Sequence, residues 1–262
     1  MKTAVVTGGS SGIGLKTAEL LRDTGYKVFE ISRRRHENAG IKHISADVTD
    51  TAALEAAFAE IIKSAGTVDL VVCCAGMGVS GAVEFTEPVD AKRQLDVNFF
   101  GMVNVCHAVL PIMRKAGHGR IVNTSSVAGV VPIPFQTFYS ASKAAINSYT
   151  MSLANEVRPF GIQVCAVMPG DIRTGFTAAR KKSQAGDEIY SGRISRSVAG
   201  MEHDEQTGMA PETAGAYIAS VATRKSVKPL RAIGLLYKFY CLLVKLLPVR
   251  ALNWLVRMIY AK

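Results

Sequence analysis

No CxxC pair and no cysteine–histidine cluster with metal-ligand spacing occurs in this 262-residue chain, so a zinc site is not expected. The five cysteines are scattered and odd in number, which argues against a disulfide framework and for a reducing compartment. No low-complexity tract and no repeat of fixed period is present, so solenoids, propellers and disordered linkers drop out. The N-terminus has no hydrophobic leader: Met1-Lys2 runs straight into Ala4-Val5-Val6. The expectation is a cytoplasmic protein folding as one domain over residues 1–262.

Acidic residues are missing from the last stretch. From Thr213 to Lys262 there are nine of the 31 basic residues and none of the 21 acidic ones, so the preceding chain is balanced to within one charge. The net charge of +10 therefore belongs to the tail and needs a local explanation. Nucleic acid is not the expected partner, because the charge sits in an apolar segment without a recognisable nucleic-acid module.

What is present begins at once. Lys2 to Thr7 reads as a short buried strand, followed by Gly8-Gly9-Ser10-Ser11-Gly12-Ile13-Gly14 and the helical pattern Leu15, Ala18, Leu21. A glycine-rich turn between strand and helix lets backbone N–H groups approach a pyrophosphate, and the helix N-terminus favours its charge. A second strand, Lys27 to Ile31, completes a βαβ unit. An acid about 20 residues after the glycines would hold the ribose hydroxyl of NAD. Here Ser32-Arg33-Arg34-Arg35 stands instead, and the acid two residues before it, Glu30, lies inside the strand. Arginine can bind a 2′-phosphate with a charge-assisted fork, so NADP(H) is the expected coenzyme.

The Thr7-Gly8-x-x-x-Gly12-x-Gly14 spacing resembles that of the classical short-chain dehydrogenase/reductase family, and later motifs follow in that family's order over residues 3 to about 174. Asp47-Val48 resembles the pair beside the adenine. Cys73-Cys74-Ala75-Gly76 stands where the family has Asn-Asn-Ala-Gly, a departure that removes amides bracing the central sheet. Tyr139 and Lys143, at i and i+4, share one helix face. A free phenol with a pKa of roughly 10 is a poor acid–base near neutrality, and a nearby ammonium stabilises its phenolate. The resemblance makes Tyr139 the proton donor or acceptor and Lys143 its tuning partner and ribose ligand. It makes Ser126, 13 residues earlier, the group that orients the reacting oxygen, with Ser125 as the alternative. Asn98 would hold a water in the proton relay. Pro169-Gly170-Asp171-Ile172-Arg173-Thr174 resembles the loop beside the nicotinamide, and residues 175–206 are expected to form a mobile substrate lid.

The resemblance implies a Rossmann-type doubly wound parallel sheet with helices on both faces. It also implies hydride transfer between nicotinamide and a carbonyl or alcohol, and assembly as a homodimer or homotetramer. A non-catalytic scaffold on this fold would be expected to lack part of the catalytic set, which is complete here.

Residues 230–262 form an apolar, basic extension. Arg231, Lys238 and Lys245 recur every seven residues and are expected on one helix face, Pro248 to end that helix, and Arg250 and Arg257 to continue on the next. An anionic membrane surface suits this pattern; a cover over the substrate pocket or a subunit interface is the alternative. Both point to a hydrophobic substrate, and the tail loosely resembles those of family members acting on steroids, retinoids or fatty-acyl ketones. A polar substrate, such as a sugar, polyol or acyl-carrier ketone, is the competing expectation.

Overall fold

The computed structural model describes residues 1–35 and 38–261. Its first strand, β1 (Thr3–Thr7), is buried at all five residues, as expected of a central parallel strand covered on both faces. Ala4 and Val6 point to one face of the sheet and Val5 to the other, the period of two that divides the core into two layers. After β1 come α1 (Gly12–Asp23), β2 (Lys27–Ser32), β3 (Ile41–Ser45), α2 (Thr51–Ala65), β4 (Leu70–Cys73) and the short β5 (Val79–Ser80). A nearly continuous helix follows: α3 (Pro88–Leu95), a π-turn over Asp96–Phe100, and α4 (Gly101–Ala116). Next are β6 (Gly119–Thr124), α5 (Thr137–Glu156), β7 (Ile162–Met168), α6 (Phe176–Ala179), β8 (Lys181–Lys182), α7 (Arg193–Thr207) and α8 (Pro211–Thr223). The chain ends with β9 (Leu230–Ala232), α9 (Leu235–Leu246) and α10 (Val249–Tyr260).

Seven strands form one parallel sheet in the order β3-β2-β1-β4-β6-β7-β9. Helices α1 and α8 pack on one face, and α2, α4 and α5 on the other. This is the doubly wound architecture expected from the sequence. The chain runs outward from β1 through β2 to β3, then re-enters on the opposite side of β1 as β4. A crevice opens where the direction reverses, at the carboxyl ends of β1 and β4.

One sequence expectation changes. Arg231 does not share a helix face with Lys238 and Lys245: it lies in β9, paired in register with Val167 of β7. Sheet pairing takes Leu230–Ala232, and Gly234, at φ +82°, turns the chain before α9 begins. The helical extension therefore starts at Leu235, and the first residues of the apolar run are its seventh strand. Pro248 does separate the two helices, standing as the N-cap of α10. Where the family pattern has an asparagine, Cys74 places its Sγ 3.2 Å from Thr124 Oγ1, joining the ends of β4 and β6.

Candidate active site

The crevice continues into a cavity of about 400 Å³ that runs from the end of β2 to α7. Its floor is the turn between β1 and α1. Gly8 and Gly12 have φ of +66° and +53°, in the left-handed region. A Cβ at Gly14 would stand 2.3 Å from the carbonyl oxygen of Gly8, so only glycine lets α1 start this close to the strand. Ser11, the N-cap of α1, uses no side-chain cap, and the first turn of α1 holds no acid. The exposed N–H groups at that helix start form a cradle that fits an anionic pyrophosphate.

Every residue expected to bind the coenzyme lines this cavity: the turn from Gly8 through Ser10, Ser11, Gly12 and Ile13 to Gly14, then Arg33 and Arg34, Asp47 and Val48, and Ala75 and Gly76. Pro169, Gly170, Ile172 and Thr174 line it too, as do Ser126, Tyr139 and Lys143. Arg33 reaches across the rim to Asp47, with Nη1 to Oδ2 at 3.9 Å. Glu30 is turned away: it is buried, with its carboxylate on His43 Nδ1 and accepting from the Ser32 hydroxyl at 3.1 Å. Among the described residues, Asp47 is the one carboxylate that lines this end of the cavity, and Arg33 and Arg34 beside it would fit the phosphate of a phosphorylated ribose.

At the opposite end, α5 carries Tyr139 and Lys143 one turn apart, with the Lys143 ammonium 5.5 Å from the centre of the Tyr139 ring. Lys143 Nζ donates to the Thr124 carbonyl at 2.9 Å, which fixes it at the end of β6. Burial pushes the Lys143 amine down to about 8. Burial pushes the Tyr139 phenol up to about 12; a hydrogen bond with Ser126 and the charge of Arg180 pull it down, while Glu205 and Asp171 push it up. Ser125 and Ser126 are separated by their partners. The Ser125 hydroxyl donates to the Lys143 carbonyl at 3.0 Å, whereas the Ser126 hydroxyl donates to the Pro169 carbonyl at 3.4 Å and accepts from the Ala128 N–H at 3.1 Å.

Asn98 sits in the π-turn but does not line the cavity. Its Nδ2 donates to the Met77 carbonyl at 3.0 Å and to Ser142 Oγ at 3.2 Å, and its Oδ1 accepts from the Met77 N–H at 2.8 Å. The side chain thus braces the loop after β4 against α5.

Three side chains at the site were not singled out in the sequence, although two of them, Phe176 and Glu205, fall within the expected lid of residues 175–206. Phe176 of α6 packs tilted against Tyr139, ring centres 5.9 Å apart. Glu205 of α7 lines the cavity beside them. Tyr237 of α9 lies on the loop that follows β7. Its hydroxyl accepts from the Asp171 N–H at 2.9 Å and donates to Asp171 Oδ2 at 2.7 Å. Its ring fills the space where a Cβ at Gly170 would fall, 1.9 Å from the ring carbon. The tail helix is thereby fastened to the cavity wall. Among the described residues no group of three or more His, Cys, Asp or Glu could hold a metal ion.

The sequence model of the family described as short chain dehydrogenase matches residues 2–185. The chain is 40% identical over 261 residues to the 3-ketodihydrosphingosine reductase of Bacteroides thetaiotaomicron, covering 98% of this chain and 97% of that one. It is 32% identical over 251 residues to a probable short-chain type dehydrogenase/reductase, VdlC, of Helicobacter pylori, covering 94% and 93%. Among solved structures, a short-chain dehydrogenase from Streptomyces avermitilis superposes with a TM-score of 0.85 at 30% identity, covering 95% of this chain and 94% of that one. The ligand-free aldohexose dehydrogenase of Thermoplasma acidophilum gives 0.75 at 29%, covering 88% and 92%.

The depressed Lys143 amine is directly measurable. In the cofactor-free protein it should titrate near pH 8, charged below and neutral above, by NMR of isotopically labelled lysine side chains. Titration at the ordinary lysine value of about 10.4 would contradict the buried geometry.

Proposed function

The chain belongs to the short-chain dehydrogenase/reductase family of oxidoreductases, which use NAD(P)(H), and we propose that it is an NADP(H)-dependent reductase of a ketone on a lipid-like substrate. The observation that carries this reading is the single cavity holding Arg33 and Arg34 at one end and Tyr139, Lys143 and Ser126 at the other. Arg33 and Arg34 would hold the ribose 2′-phosphate, and the glycine turn the pyrophosphate. Pro169, Gly170, Ile172 and Thr174 would border the nicotinamide, and Asp47 and Val48 the adenine.

The bound coenzyme supplies hydride to the carbonyl carbon. Tyr139 is protonated at neutral pH, the form needed to protonate the carbonyl oxygen as charge develops there. Ser126 donates a hydrogen bond to the same oxygen. Lys143 in its ammonium form stabilises the phenolate left behind. Asn98 enters as the brace that sets α5 against the loop after β4, both of its amide donors being committed. Segment 175–206 supplies Phe176 and Glu205 to the wall and is a lid in this reading.

A lipid-like substrate is supported by the 3-ketodihydrosphingosine reductase relative, aligned over nearly the whole chain, and by the tail. No residue of α9 is fully buried, and Leu235, Phe239, Leu246 and Trp254 are more than half exposed on the α9–α10 hairpin. Lys238, Lys245, Arg250 and Arg257 accompany them without an acid. Twelve-residue helices are about 18 Å long, short of the roughly 30 Å of a bilayer core, so the hairpin would lie on an anionic membrane surface. The enzyme is then cytoplasmic and peripheral, and Tyr237 ties its anchor to the nicotinamide loop. Its expected assembly is a homodimer or homotetramer. The aldohexose dehydrogenase structure favours a second reading, a polar substrate, for which the exposed apolar hairpin has no use.

Wild-type protein should oxidise NADPH in the presence of a long-chain ketone, and Tyr139→Phe should bind NADPH normally while losing turnover by about a thousandfold or more. Near-normal turnover by Tyr139→Phe would overturn the mechanism. The hairpin is tested by sedimentation with phosphatidylserine-containing vesicles. Wild type should pellet, and Leu242→Glu/Trp254→Glu should stay in solution with its NADPH affinity intact; equal pelleting would exclude the membrane reading.

A further inference from the structure

Two carboxylates line the cavity among the described residues: Asp47 at the Arg33 end, and Glu205 at the Tyr139 end. The reaction derived above makes no use of Glu205. Its Oε1 accepts from Arg180 and its Oε2 accepts from the Thr177 hydroxyl at 2.6 Å. A carboxylate offers about four lone-pair sites, so both oxygens retain acceptor capacity.

The support behind Glu205 is unusual. The Arg180 side chain is only 1% exposed, and its Nε and Nη1 have no hydrogen-bond partner among the described residues. Its guanidinium lies 5.5 Å from the centre of the Phe176 ring, the same ring that packs on Tyr139. Burying a cation is unfavourable even when it is paired, and an apolar contact would join α6 to α7 at least as well. A buried guanidinium and a threonine that together fix a carboxylate at the wall of a reaction cavity make sense when the carboxylate meets a ligand.

We propose that Glu205 is a substrate-binding residue that accepts a hydrogen bond from a donor, hydroxyl or ammonium, carried by the substrate close to its reacting carbonyl. Arg180 and Thr177 are its positioning residues. The inference rests on the reductase reading and narrows it: the substrate is an amphiphile whose polar head carries a donor beside the ketone, with Phe176 against the reacting carbons. A plain ketone leaves the Glu205 oxygens desolvated and unmatched, which is how a site built for a hydrogen bond rejects the analogue lacking it.

The test uses NADPH-loaded full-length protein and three ketones of equal chain length, bearing on the adjacent carbon an ammonium, a hydroxyl or hydrogen alone. Dissociation constants come from quenching of NADPH fluorescence, and kcat/KM from NADPH consumption. Wild type should favour a donor-bearing ketone over the plain one by about tenfold or more. Glu205→Gln keeps size and an acceptor for Arg180, and should bring the ammonium preference close to unity; a preference resting on hydroxyl should survive in part. Glu205→Ala should remove both. The ratio between ketones is the readout, because a purely structural role for Glu205 would lower all three alike. No preference in wild type, or a ratio unmoved in Glu205→Gln, overturns the inference. Selective binding without NADPH consumption would defeat the reductase reading and leave Glu205 standing; consumption with a ratio of one would do the reverse. Failure of every ketone to bind would overturn both.

Discussion

At Gly14 there is no room for one more carbon. The Gly8 carbonyl oxygen would be 2.3 Å from a Cβ and the Cys74 Cβ 3.1 Å away, so the start of α1 lies directly on the ends of β1 and β4. That contact aims the first N–H groups of α1 into the crevice left by the reversal of strand order. The rest of the site is placed relative to it. β6 and β7 extend the sheet on the β4 side and bring Thr124, Ser126 and the loop after Met168 to the same edge. α5 then lays Tyr139 and Lys143 across those strand ends.

Burial sets the chemistry at that edge. It acts in opposite directions on the two groups of the pair, keeping the Tyr139 phenol protonated and making the Lys143 ammonium easier to lose. A neutral phenol thus stands beside an amine whose proton is held less tightly than in water. Arg180, Glu205 and Asp171 modulate the same phenol, and all three come from the part of the chain after β7. The Tyr139 phenol is therefore sensitive to segments remote in sequence, one of them held by Tyr237 of the tail.

The central strands and the glycine turn were legible because their determinants are local. Strands buried on both faces read as unbroken apolar runs, and the glycines sit between strand and helix. Tyr139, Lys143 and Ser126 were legible from spacing and family resemblance together. Arg231 was misplaced because a seven-residue recurrence says nothing about backbone pairing, and β7 offered an open edge that Leu230–Ala232 fill. Glu205 and Tyr237 were hidden for a different reason. Their roles arise where α7 and α9 return to the cavity, contacts fixed by tertiary packing and by no local pattern. Asn98 was found by resemblance, but the structure commits its amide to Met77 and Ser142.

If the crevice seats a phosphorylated dinucleotide, coenzyme binding tests it most directly. Fluorescence titration of wild type and Arg33→Ala/Arg34→Ala with NADPH and NADH decides it. Wild type should bind NADPH more tightly than NADH, and the double variant should lose about ten- to a hundredfold in NADPH affinity while NADH is almost unchanged. Equal affinity for the two coenzymes in wild type, or an equal loss of both in the variant, would contradict it.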